Sequence, residues 1–367
     1  MKKPEARLWE RDPEADTPDP DETAIRDRRL ITQPYDLVVG GLMDQIRGGT
    51  LHVRPLSDRP RFQRRYVWTA KLASRLIESM LLNVPIPPCY LSQTEDYELD
   101  VIDGQQRIYS IFRFLDNQFA LRHLEILREF NGSKHYELPA EEQKKLRTHT
   151  LRCVIITNDS HPEIKFDVFE RLNTNTAPLN AQEIRNCIYR GPLMRLLEDL
   201  ASEPQWLSIL GRKAPDKRMR GEELILRFFA FETEGLGSYR TPQKHWLNDV
   251  ARASRRLETD SVEQLRQVWA RAIRNCLSVL EPLECFRRLP LERPRTVINR
   301  ALMDLTMATA ASPQGDKLAD SRYAFRTAVA AVSADEEFND LISRSVDHKS
   351  RTLRRFQIWK ERVQSVL

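Results

Sequence analysis

The sequence predicts an α+β chain in which a small mixed-sheet domain is followed by an all-helical domain. Three observations predict it. Apolar and β-branched strand runs alternate with helical stripes from Tyr35 to about Asn186. Strand signals stop near Arg190-Gly191-Pro192. Helical periodicity then continues to the end of the sequence. These place an acidic, Pro-rich tail at 1–34, a mixed domain at 35–190 and a helical domain at 191–367.

The first 34 residues are rich in Pro, Asp and Glu and lack periodicity, which reads as a mobile or loosely docked tail with at most a short helix over Thr23–Leu30. Leu37 to Arg47 suits a short helix and Leu51-His52-Val53 a strand. Lys71 to Leu82 sets Leu72, Leu76, Ile77 and Met80 on one helical stripe. Val84-Pro85-Ile86-Pro87-Pro88 cannot lie inside a helix, because proline lacks the N–H and clashes with the preceding turn. It reads as a rigid extended loop into a strand at Cys89-Tyr90-Leu91. Tyr97 to Ile102 is a strand, Asp103-Gly104 ends it, and Gln105 to Phe119 is a helix. Leu151 to Thr157 is a strand and Glu163 to Leu172 a helix. Beyond Gly191, helical period fits Leu193–Leu200, Gly221–Glu232, Val262–Leu280, Val297–Thr309, Tyr323–Val332 and Arg351–Val366.

Of 367 residues, 41% are apolar and 30% charged, and the mean hydropathy is -0.54. A wholly disordered chain is excluded by the recurring apolar runs. No stretch approaches the ~20 apolar residues of a membrane-spanning helix. The basic start at Met1-Lys2-Lys3 has no apolar run after it, unlike a secretory signal. Five widely spaced cysteines without a C-x-x-C pair argue against a disulfide framework or a zinc finger and for reduced thiols in a bacterial-type cytoplasm. The net charge of +5 fits contact with nucleic acid or nucleotide without requiring it. Acids gather over Glu10–Thr23 and bases over Leu341–Leu367. Arg351, Arg354 and Arg355 share a helical face, which reads either as a DNA-backbone contact or as a solvated surface.

Three segments carry chemistry. In Leu99-Asp100-Val101-Ile102-Asp103-Gly104-Gln105-Gln106-Arg107 a strand turns at glycine into a helix, whose free N–H groups form an anion site. There Gly104 permits close approach of a phosphate, Arg107 offers a bidentate fork, Asp103 suits Mg²⁺, and Gln105 or Gln106 can orient a water. The plain alternative is a capped strand-turn-helix. In Phe169 to Asn186, amides and arginines crowd an Asn/Thr-rich loop that also has good capping chemistry. In Arg61-Phe62-Gln63-Arg64-Arg65-Tyr66-Val67-Trp68, arginines alternate with aromatics, as in nucleotide contacts or as in a loop whose Phe62 and Trp68 plug the core edge. The expected cavity joins Asp103, Arg107 and the loop of Asn173 to Asn175, with Arg64 or Arg65 at its rim.

These blocks, with Leu76-Ile77-Glu78-Ser79, Val84-Pro85-Ile86-Pro87, Asp216-Lys217-Arg218-Met219 before Glu223-Leu224-Ile225-Leu226-Arg227-Phe228, and Val297-Ile298-Asn299-Arg300-Ala301-Leu302, occur in an order that resembles GmrSD-type restriction enzymes, in particular their N-terminal domain and stand-alone members. The likeness covers roughly residues 36 to 360. It implies a ParB/sulfiredoxin-like fold, an NTP-binding or hydrolysing motif and a role in defence against foreign DNA. Asp103, Gly104, Gln105, Gln106 and Arg107 match the nucleotide motif. Arg64, Asn173, Asn175 and Arg185 match further family blocks and are carried over as nucleotide-binding. Two-domain relatives end in an HNH nuclease, but this sequence has Asp347-His348-Lys349 without a second metal-spaced histidine. Asp159 with Glu163-Ile164-Lys165 lies too close in sequence for a converging nuclease site, and no P-loop motif occurs.

The resulting expectation is a nucleotide-binding, NTP-hydrolysing subunit of a bacterial restriction or anti-phage system. It takes NTP with Mg²⁺, contacts DNA, and acts with a separate nuclease or ATPase subunit or as a homo-oligomer. The alternative is a DNA-binding or regulatory module that binds phosphates without turnover, and a nuclease acting alone is the weaker third.

Overall fold

The computed structural model describes residues 7–15, 17–20, 29–53, 68–172, 179–290 and 297–367. It divides into two compact units, 26–180 and 1–25 with 181–367.

The 26–180 unit is built on strands β1 (Thr32–Val38), β2 (Leu51–His52), β3 (Cys89–Gln93), β4 (Leu99–Asp103) and β5 (Thr150–Ile156). Helices α1 (Val39–Arg47), α2 (Ala70–Leu81), α3 (Gln105–Leu115), α4 (Ala140–Thr148) and α5 (Pro162–Leu172) accompany them. The sheet order is β1-β5-β3-β4-β2. β1 runs antiparallel to β5, β5 parallel to β3, β3 antiparallel to β4, and β4 parallel to β2, so the sheet is mixed as expected. β3 and β5 are flanked on both sides, and Leu91 and Cys153 are fully buried. Ile77, Ile108, Ile111 and Phe114 pack the helices on this core. Thr69 caps α2 by accepting from the Leu72 N–H. Glu78, one turn before the end of α2, is buried and accepts the backbone N–H groups of Ile126 and Leu127 at 2.8 and 2.9 Å. That carboxylate fixes an otherwise irregular stretch.

β1 is a correction to the sequence reading, which placed residues up to 34 in a tail. Its segment Thr-Gln-Pro-Tyr-Asp-Leu-Val has weak alternation and a proline, so nothing local marks it as a strand. Pairing with β5 makes it one, and its place at the sheet edge tolerates Pro34.

The other unit contains α6 (Ala181–Ile188), α7 (Pro192–Ala201), α8 (Pro204–Ile209), α9 (Arg220–Glu234), α10 (Gln243–Ala253), α11 (Thr259–Val279), α12 (Arg300–Ala311), α13 (Arg322–Ala334), α14 (Glu336–Leu341) and α15 (Lys349–Arg362). Among its described residues the only strand pairing is an isolated bridge between Trp9 and Ile298. Trp206 and Trp269 meet edge to face at 5.1 Å in its core. The helical part of the unit begins at α6, ten residues before the Gly191 boundary read from the sequence, because Ile188 packs against this helical core and Arg185 bonds to Asn248 and Glu223 within it.

The acidic leader is also docked where it is described. Leu8 is buried in the helical core. Glu10 pairs with Arg288, Asp12 accepts from the Ser345 and Val346 N–H groups, and Asp19 accepts from the Lys349 N–H. Composition reads such a segment as solvated, but basic and backbone donors from the helical unit satisfy its carboxylates. Among the described residues no helix is long and apolar enough to cross a membrane.

Glu222, in the first turn of α9, is only 4% exposed. Its carboxylate oxygens have no hydrogen-bond partner beyond the residue itself. Burial, aided by the charges of Asp216 and Glu198, pushes this carboxyl up to about 8. The native state therefore holds a proton that the unfolded chain, at an ordinary ~4.3, releases. Stability falls as pH rises between those two values and levels off above the native one. Glu222→Gln, which cannot ionise, is expected to flatten that slope and to raise stability near pH 8 by on the order of 2–4 kcal/mol. Denaturant melts across this pH range measure it, and an unchanged slope in the variant refutes the assignment.

Candidate functional site

The candidate site lies where β4 passes into α3. Gly104 is the N-cap residue and adopts the left-handed conformation, with φ of 92°. A side chain there is strained by that φ, and an added Cβ would also fall on the Cys89 sulfur. The glycine thus lets the chain reverse directly over β3. Gly104 has no side chain with which to cap α3, whose first N–H groups stand at the positive end of the helix dipole.

Arg107 stands in that first turn. Its guanidinium donates to Asp103 Oδ2 at 2.8 Å, to the Pro87 carbonyl, and to the Pro88 carbonyl at 3.4 Å. The Arg107 side chain is 13% exposed and that of Asp103 41%. The arginine therefore clips the rigid proline loop to the start of α3, a structural role that sequence reading did not give it. Pro87 and Pro88 lend only carbonyl oxygens, and the sole signal for them was the position of the loop just before β3. Gln105 and Gln106 are half-buried on the same turn, and the Gln106 carbonyl accepts from Ser110 Oγ.

Beneath the turn, Cys89 of β3 is in register with Cys153 of β5. Both thiols are buried and reduced. A hydrogen bond from Cys153 lowers the Cys89 pKa against the opposing effect of burial, and Arg107 assists. Cys153 is shifted the other way, first by that same hydrogen bond and then by burial.

Asp103 offers one half-exposed carboxylate, with one oxygen already accepting from Arg107. Among the described residues no group of three or more His, Cys, Asp or Glu could hold a metal. This donor set suits Mg²⁺ that takes most of its ligands from phosphate and water and does not build a protein cage.

Arg64, Asn173 and Asn175, and with them the expected shared cavity, lie outside the described residues. Arg185 lies on α6 in the helical unit and is buried. It donates to Asn248 at 2.9 Å, Glu223 at 3.1 Å, Gln182 at 3.2 Å and the Lys244 carbonyl at 3.3 Å. Its guanidinium is thus committed to the fold of that unit.

The basic face expected on the last helix is corrected. Arg355 is fully buried, donating to the Val346 carbonyl and to Asp304. Arg351 pairs with Asp340 at 2.6 Å and Arg354 with Glu337 at 2.7 Å. The three arginines do not form an open cationic row, because acids from α14 neutralise two of them and the core takes the third.

Residues 39–190 match the family described as GmrSD restriction endonuclease, N-terminal domain. Neither the curated proteins nor the solved structures yield a match to the chain.

Proposed function

With residues 39–190 belonging to the GmrSD restriction endonuclease N-terminal domain family, we propose that the Asp103–Arg107 turn binds the phosphates of a nucleotide. The chain then serves as a nucleotide-binding subunit of a bacterial restriction or defence system. In this reading the 39–190 domain has the ParB/sulfiredoxin-like fold that the resemblance implies, and the protein works in the cytoplasm beside a separate nuclease or ATPase subunit. The observation that carries the proposal is the start of α3, opened by a left-handed glycine that brings no side chain to the turn and flanked by an arginine.

Phosphate oxygens accept from the N–H groups of Gln105 and Gln106, and one replaces Asp103 as the partner of Arg107. Asp103, released from that pair, would hold a Mg²⁺ carried in with the nucleotide, which supplies charge neutralisation at the phosphates. Gln105 orients a water if turnover follows. The second reading, binding without turnover, is favoured by one observation: Asp103 is the sole carboxylate on this turn, and Arg107 already engages it. DNA contact in either reading does not run through Arg355, which is buried.

Arg107→Ala is expected to weaken binding of ATP or GTP at least tenfold, because charge-assisted forks to phosphate are the strong hydrogen bonds. It also frees the 87–88 carbonyls, and a loss of about 1–3 kcal/mol in stability is expected with it. Arg107→Lys keeps the charge and loses the fork, so it separates affinity from folding. Nucleotide titrations and phosphate release on wild type and both variants decide the matter. Equal affinity in well-folded Arg107→Ala sinks the assignment, and binding without phosphate release selects the second reading.

A further inference from the structure

The helical unit has a polar cavity of about 370 Å³ at the start of α10. Thr241, Gln243, Lys244, Arg300 and His348 line it, and residues 17–19 of the leader close one side. Two of its polar atoms are buried without a partner: Thr241 Oγ1 and Gln243 Nε2. These residues are 3% and 7% exposed, respectively.

The orientation of the Gln243 amide is not arbitrary. Its Oε1 accepts from Arg227, a guanidinium that has no acceptor capacity of its own. The nitrogen must therefore be the other end, and it is a donor without an acceptor. An orphaned buried donor is costly, so its retention calls for a ligand that satisfies it. The α10 N-terminus adds to this demand, since Pro242 supplies no side-chain cap. Lys244 and Arg300 bring positive charge to the same wall. The acids on that wall are matched within the unit. Glu223 pairs with Arg185, Asp347 with Arg227 and Arg300, and Asp19 accepts a backbone N–H. The volume lies in the range of small-molecule sites and exceeds what an isolated ion fills.

We propose that this cavity binds a small organic oxyanion, a phosphate ester or a carboxylate, through Thr241, the Gln243 amide, the α10 N-terminus and Lys244. It is a second site, independent of the Asp103–Arg107 turn.

Calorimetric titration of the full chain with pyrophosphate and with citrate tests it, the two probes distinguishing phosphate from carboxylate. At least one is expected to bind, with affinity at least tenfold weaker in Thr241→Val and in Lys244→Glu, and a binding event with these cavity sensitivities persists in Arg107→Ala. Glutamate is favourable in a first helical turn, so Lys244→Glu folds even if Thr241→Val does not. Absence of binding by the wild type overturns the proposal. So does binding that ignores both cavity variants. Loss in Arg107→Ala alone moves the anion to the α3 turn, which overturns this site and upholds the other. Loss in the cavity variants alone supports this site whatever the fate of the nucleotide reading.

Discussion

Gly104→Ala is expected to destabilise the 26–180 unit by about 2–5 kcal/mol, from two separable causes. A left-handed φ of 92° costs a residue with a Cβ about 1–2 kcal/mol. The added methyl also falls on the Cys89 sulfur, and overpacking of a tight core costs about 1–3 kcal/mol. Cys89 is 1% exposed between β4 and β5, so it has little room to yield. Cys89→Ala in the Gly104→Ala background removes the clash and leaves the backbone strain. A double-mutant cycle from denaturant melts should therefore show favourable coupling of about 1–3 kcal/mol. If the two changes simply add, the sulfur is not what the glycine avoids. Because the same turn presents the α3 N–H groups, nucleotide affinity should fall with Gly104→Ala even where the variant is folded.

The second large effect is expected at Asp304. This carboxylate is 3% exposed on α12 and takes both prongs of Arg227 at 2.7 Å, with Arg355 at 3.4 Å. Arg227 also reaches Asp347 at 2.8 Å and Gln243. Asp304→Ala leaves two buried guanidinium groups short of their counter-ion, which costs about 3–5 kcal/mol. Replacing both Arg227 and Asp304 by apolar residues of similar volume should cost less than Asp304→Ala alone, since no buried charge is then left unpaired. Thermal and denaturant melts of the single and double variants measure this, and a double variant worse than the single refutes the account. The network also predicts acid lability. Desolvation opposes ionisation of Asp347, but Arg300 and Arg227 outweigh it and hold the carboxyl well below its ordinary range. Its contribution is present above the unfolded carboxylate value of ~3.9 and is lost as pH falls below it.

Arg227 shows why the cavity at α10 was invisible in the sequence. Thr241 and Gln243 have no motif around them. The Gln243 nitrogen is orphaned because Arg227, sixteen positions before Gln243 and seventy-seven before Asp304, holds the amide one way round.

Elements whose signal is local are legible in the sequence itself. Apolar spacing over 70–81 and 105–115 defines α2 and α3, and Asp103-Gly104 marks the break between β4 and α3. The anion-binding role proposed for that turn also rests on local signals, a glycine before a helix with an arginine in its first turn. Tertiary structure decided what those residues touch. Arg107 is held by carbonyls twenty and nineteen positions earlier, beyond the reach of any local pattern. Arg185 and Arg355 carry the charge that sequence patterns read as a binding surface, yet acceptors 38 and 51 positions away make them core residues. β1 became a strand because β5, whose Ile156 pairs with Thr32 and whose Thr150 pairs with Val38, offers its edge. Period and composition record the free energy of burying one face of one segment. Pairing an edge strand or neutralising a buried arginine depends on partners supplied by chain closure, and only the folded chain brings them together.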